Sequence, residues 1–202
     1  MTSKQLVLFP GQTRKITGKG PLEYLEPIRA ANQNGQHTLD GKQVPHIVID
    51  FTFGQGWMQK EYGLNGNTIG LDINREKNPT IQADHRSSPF PDNCADLVLY
   101  DPPFLSRPPS GWANTSFWIN FSWFESQDQM RKTVYQVARE ILRILKPGGE
   151  LLFKWGTSDK PLNFALTLFP PQFEIIDRNR RSNHGGRNNE TWYVRLKKRG
   201  DS

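Results

Sequence analysis

Leu97-Val98-Leu99-Tyr100-Asp101-Pro102-Pro103-Phe104 joins an apolar run to a stiff acidic tip. Uninterrupted apolar residues of this length read as a strand buried on both faces, which belongs in a parallel sheet covered by helices. The strand must stop at Asp101. Two prolines fix their own φ angles and bias the residue before each toward extended geometry, so the carbonyls at this tip cannot be drawn into a helix. A carboxylate and rigid carbonyls beside the ring of Phe104 suit a planar heterocycle that carries an amino group.

Outward from this stretch, similar strand signals recur at 47–51, 68–72, 80–83 and 150–154, with Ile47-Val48-Ile49 the most continuous. One helix is predicted over 127–145, because Met130, Val134, Val137, Ile141 and Leu145 fall on one stripe. Ser126 and Gln129 make a capping box at its start, and Pro147-Gly148-Gly149 ends it. Segments 173–177 and 191–197 are predicted to close the fold as an antiparallel hairpin across the polar loop 178–190. Alternating strands and helices imply a doubly wound, Rossmann-like α/β domain, mostly parallel with a C-terminal antiparallel hairpin. Residues 46–202 form this domain, 105–124 an aromatic loop insertion, and 1–45 an N-terminal extension with one helical candidate at 22–32. In such sheets ligands bind beyond the carboxyl ends of the strands, at the point where the strand order reverses.

The strand ends carry a consistent chemistry. The first runs into Asp50-Phe51-Thr52-Phe53-Gly54-Gln55-Gly56, where alternate glycines allow a tight turn that lies flat against a ligand. A dinucleotide fingerprint needs a further glycine where Gln59 stands, and Asp50 would repel a phosphate; a ligand bearing an ammonium group suits it better. The second strand ends at Asp72, 18 residues beyond Gly54, a separation at which an acid accepts ribose hydroxyls. The third ends at Asp84-His85, where an aspartate can accept from an adenine amino group. The four histidines (37, 46, 85, 184) show no metal-ligand spacing.

Taken in order, these motifs resemble those of class I S-adenosylmethionine-dependent methyltransferases that methylate amino groups. The resemblance spans roughly residues 46–198 and includes Leu145-Lys146-Pro147-Gly148-Gly149 before the fifth strand. It implies a seven-stranded methyltransferase sheet. It implies that S-adenosylmethionine lies against Asp50, Phe51, Thr52, Gly54, Gly56, Asp72, Ile73, Asp84 and His85, with ribose at Asp72 and adenine at Asp84. The catalytic group it implies is Asp101, Pro102, Pro103 and Phe104: Asp101 and the Pro102 carbonyl accept from the target amine, and Phe104 stacks on its base. No metal is required. An aspartate opening the fourth motif leans, in this family, toward adenine, so N6 of adenine in DNA is the expected target. A base in RNA, adenine or guanine, is the alternative, and a catalytically silent RNA-binding or activating subunit a third reading.

Charge supports a polyanionic partner. The chain carries a net +6, with +4 in residues 1–20, +6 between Asp177 and Arg199, and −3 in residues 21–176. Basic ends flanking a mildly acidic centre fit nucleic acid. The candidates for contacting it are Trp112 in the aromatic segment and Arg180, Arg181, His184 and Arg187 in the basic, amide-rich loop before the last strand. A single cysteine, Cys94, excludes an internal disulfide. No signal-peptide pattern and no membrane-length apolar run is present, so an intracellular, cytoplasmic setting is expected.

Overall fold

The computed structural model describes residues 47–62, 64, 68–106, 123–182 and 190–200, with the backbone alone at 61, 181 and 182, together with the backbone of four short strands before residue 44. Those four are β1 (Gln5–Leu8), β2 (Gln12–Lys15), β3 (Thr38–Leu39) and β4 (Lys42–Gln43). Then follow β5 (Val48–Asp50), α1 (Trp57–Glu61), β6 (Thr68–Asp72), β7 (Ile81–Gln82), β8 (Ala95–Tyr100), α2 (Gln127–Ile144), β9 (Leu145–Gly156), α3 (Leu162–Leu166), β10 (Phe173–Ser182) and β11 (Glu190–Lys198). The main sheet runs β10-β11-β9-β8-β5-β6-β7-β1-β2. Strands β5 to β9 pair in parallel, whereas β11 pairs antiparallel with both β9 and β10. The seven strands from β5 to β11 are the sheet expected from the sequence.

Burial explains why the apolar runs became strands. Ile49 and Val98 point into one core with Met130, Val134, Val137 and Ile141 of α2. Val48, Leu97, Leu99 and Leu152 point to the other face, against Met58 and Leu64. Successive residues alternate between faces; both faces are covered, so a continuous apolar run is what each central strand needs. The order reverses between β5 and β8, which places the switch point at the tips of Asp50 and Asp101.

The predicted cap of α2 is present with one change. Ser126 Oγ accepts from the Gln129 backbone N–H at 3.1 Å, but the Gln129 side chain returns to the N–H of Glu125 rather than that of Ser126. The helix stops one residue short of the predicted end. Leu145 already pairs with Ala95 in β9, and the register slips before Glu150 meets Leu97, so Lys146 to Gly149 bulge out of the strand. Strand β10 extends to Ser182, five residues past the predicted end, because its backbone pairs with β11 as far as Ser182–Glu190. Arg180 and Arg181 therefore sit on a strand, not in the loop assigned to them. The helical candidate at 22–32 lies outside the described residues. Strands β1 and β2, which the sequence reading did not foresee, lengthen the sheet through the pairing of Val7 with Gln82. No helix among the described residues is long and apolar enough to cross a membrane.

Candidate active site

A cavity of about 620 Å³ opens across the carboxyl ends of β5, β6, β7, β8 and β9. This lies within the range of pockets that enclose small-molecule ligands. Phe51, Thr52, Gly54, Asp72, Ile73, Asp84, His85 and all of Asp101 to Phe104 line it, so four separate strand ends deliver their predicted residues to one place. Asp50 and Gly56 stand behind the wall, and Trp112, His184 and Arg187 lie outside the described residues.

The glycine turn after β5 is built by its backbone. Gly54 has φ 48° and Gly56 φ 68°, both left-handed, where a side chain would be strained. Asp72 ties the turn to β6: its Oδ2 accepts from the Gly54 N–H at 2.9 Å, and its Oδ1 from the Asn74 N–H at 2.8 Å. Behind the turn, Asp50 is 1% exposed, and its oxygens accept from the Thr52 N–H at 3.0 Å and from Gln59 Nε2 at 3.2 Å. Burial pushes its carboxyl up to about 7 against these two hydrogen bonds, with smaller contributions from the charges of Asp101 and Asp72. The side chain thus braces the turn where the sequence reading aimed it at a ligand's ammonium; an acid at a strand tip reaches the N–H two residues on before it reaches the cavity.

Asp84 caps a short 3₁₀ turn, accepting from the Arg86 N–H at 2.8 Å, and its carboxylate is paired with the Arg86 guanidinium. The hydrogen bonds from Arg86 hold its carboxyl below the usual range, against partial burial. His85 packs edge-on to Tyr100 at 6.1 Å. Burial lowers its basicity against the pull of Asp84 and a hydrogen bond to the Phe51 backbone, so the ring is a neutral brace between β5 and β7. Exposed apolar surface rims the cavity at Ile73, 66% exposed, and Trp57, 58% exposed.

At the tip of β8, the Asp101 N–H donates to Thr52 Oγ1 at 2.7 Å, locking the two central strand ends together. Asp101 Oδ2 accepts from Lys154 Nζ at 2.9 Å. Phe104 lies flat on β9: a Cβ added at Gly156 would sit 2.9 Å from two of its ring carbons. The Phe124 N–H donates to the Leu105 carbonyl at 2.9 Å, so the two described ends of the aromatic segment meet beside the cavity. Phe124 is buried in the core, and Trp123 lines the cavity. Gly156→Ala is expected to displace the Phe104 ring from its seat on β9. Overpacking of this kind costs about 1–3 kcal/mol of stability. Urea unfolding of the variant beside the wild type checks it, and unchanged stability would show that the ring moves aside at no cost.

Sequence reasoning missed Lys154, Arg86, Phe53 and Gln129, all of which line the cavity. For Lys154 a signal existed. A lysine following Leu151-Leu152-Phe153 in a buried strand needs a partner, and the parallel register that pairs Tyr100 with Phe153 sets Lys154 level with Asp101.

No family model and no curated protein matches the chain. Solved structures do. TrmN from Thermus thermophilus superposes with a TM-score of 0.53 at 16% identity, covering 86% of this chain. The fold is that of Rossmann-like methyltransferases. This chain spans about half of TrmN, 48% of its length. A 16S rRNA (adenine(1408)-N(1))-methyltransferase from Catenulisporales acidiphilia matches over 100% of both chains with a TM-score of 0.52 at 10% identity. The cyclase SpnF, covered over 82% of its length and matching 89% of this chain, has a TM-score of 0.54 at 14% identity. One scaffold therefore serves different reactions, and the chemistry has to be argued from the site.

Proposed function

We propose that this chain is an S-adenosylmethionine-dependent methyltransferase acting on an exocyclic amine of a nucleic-acid base, adenine N6 foremost. The observation that carries the reading is the convergence of Asp101, Pro102, Pro103 and Phe104 with Asp72, Ile73 and Asp84 on one cavity. The residues fit the cofactor by their chemistry: Asp72 supplies a carboxylate for ribose hydroxyls, Asp84 an acceptor for an adenine amine, Ile73 apolar surface for its ring, and the glycine turn a bare backbone. When bound, the cofactor supplies an electrophilic methyl group.

The protein's own part is positioning and electrostatics. An exocyclic amine on a heteroaromatic ring is a poor nucleophile because its lone pair is delocalised. Asp101 and the Pro102 carbonyl accept its two hydrogens, turn its lone pair toward the donor side and stabilise the positive charge that grows on nitrogen. Phe104, seated on Gly156, offers a stacking surface worth roughly 1–3 kcal/mol. A base within a duplex cannot enter such a cavity and must be flipped out or unpaired.

RNA stands beside DNA as the polymer. The 16S rRNA enzyme, which aligns with this chain over its whole length, records in its name an adenine target, at ring nitrogen N1 rather than an exocyclic amine, whereas DNA rests on the residue type at position 101. The test is incubation with labelled S-adenosylmethionine and DNA or RNA, digestion, and mass identification of the methylated nucleoside. We expect N6-methyladenine, and log Kd rising by about 0.7 to 0.9 per log salt for each phosphate contacted. Salt-independent methylation of a free amine would instead make the substrate a small molecule.

A further inference from the structure

Lys154 plays no part in the function proposed above, yet it touches the group on which that function turns. It occupies the carboxyl end of β9 after three buried apolar residues, with its Nζ 2.9 Å from Asp101 Oδ2 and 5.9 Å from the Tyr193 ring centroid. Its side chain is 22% exposed and lines the cavity. Neutralising Asp101 is an incomplete account. During methyl transfer positive charge grows on the amine beside Asp101, and a neighbouring ammonium opposes that growth. A lysine that costs rate should give something in selection.

Its position supplies the selection. An ammonium has three donors, and the Asp101 contact uses one. Asp101 and Lys154 therefore present an acceptor and a donor side by side. The complementary edge is an H–N–C=N unit: an amine hydrogen for Asp101 and, beside it, a ring nitrogen lone pair for Lys154. Aminoheterocycles carry this edge. Alkylamines do not, and at neutral pH they arrive as cations that Lys154 repels.

We infer that Lys154 is a specificity-determining residue that donates a hydrogen bond to the ring nitrogen next to the reacting amine, N1 in adenine, so that the site takes aminoheterocycles and rejects alkylamines. The assignment rests on the base-methyltransferase reading above.

The test removes that nitrogen from the substrate and that donor from the protein. Oligonucleotides carrying one adenine or one 1-deazaadenine are compared as methyl acceptors for the wild type, Lys154→Met and Lys154→Arg. For the wild type the deaza substitution should lower kcat/KM by roughly 10- to 100-fold, the range of a hydrogen bond to a charged group. Lys154→Met should lose a similar factor on adenine, mostly in KM, and then differ by less than about threefold between the two substrates. Lys154→Arg should restore part of the discrimination. Wild type that is indifferent to the N1 replacement, or Lys154→Met that stays fully sensitive to it, overturns the assignment and leaves the methyltransferase reading intact. Failure of the wild type to methylate any base overturns both. Should Lys154→Met not fold, as judged by circular dichroism, Lys154→Leu takes its place in the same comparison of the two substrates.

Discussion

Asp101→Ala is expected to lower methyl transfer by roughly 10²–10³-fold, the scale for removing one preorganised group that stabilises transition-state charge, with cofactor affinity unchanged. On the function proposed above, Asp101 meets the amine only through its side chain, whereas its backbone N–H to Thr52 Oγ1 survives the substitution. The turn between β5 and α1 therefore keeps its anchor, and the cofactor wall of Asp72, Ile73 and Asp84 is untouched. Loss of the ion pair with Lys154, whose side chains are 26% and 22% exposed in Asp101 and Lys154, should cost about 1 kcal/mol of stability. Asp101→Asn separates charge from geometry: an amide oxygen can still accept one amine hydrogen but carries no negative charge, so its rate should fall between the other two. Transfer kinetics with calorimetric cofactor titration checks both variants. An unchanged rate in Asp101→Ala would remove the residue from the chemistry; lost cofactor binding would move its role to the cofactor.

What could be read in the chain follows from which interactions are local. Central strands were legible because a parallel sheet covered on both faces leaves uninterrupted apolar runs, as in Leu97 to Tyr100, and because each tip is marked by a short local signal: glycines at 54 and 56, acids at 72, 84 and 101. The cap of α2 was legible for the same reason, since Ser126 and Gln129 are one turn apart. Interactions set by register were not. Lys154 meets Asp101 across 53 positions, and the contact exists only once β8 and β9 are aligned. Arg178 to Ser182 look like a loop because none is apolar, yet β11 carries them as a strand through backbone pairing, with the Arg180 guanidinium also paired to Glu190. Strand β2, Gln12-Thr13-Arg14-Lys15, is likewise polar and is held by its neighbour β1. Asp50 folds back onto its own turn, and composition cannot tell such an acid from one that faces a ligand.

That inward turn makes Asp50 a pH-dependent weak point. An aspartate in the unfolded chain titrates near its ordinary value of 3.8, whereas burial pushes the native carboxyl up to about 7. The native state therefore holds a proton that the unfolded state releases, and between these two values stability falls as pH rises. At 1.36 kcal/mol for each tenfold step, the interval corresponds to a loss on the order of 4 kcal/mol, complete above pH 7. Below pH 3.8 both states are protonated, and this group contributes no slope. Asp50→Asn is uncharged throughout, keeps an oxygen for the Thr52 N–H, and meets Gln59 if that side-chain amide turns over to present its oxygen. The variant is therefore expected to match the wild type near pH 4 and to exceed it by a few kcal/mol at pH 8. Urea unfolding of both proteins at several pH values measures this directly. Parallel curves would mean that Asp50 ionises in the folded protein as it does in water, and that Thr52 and Gln59 fully offset its burial.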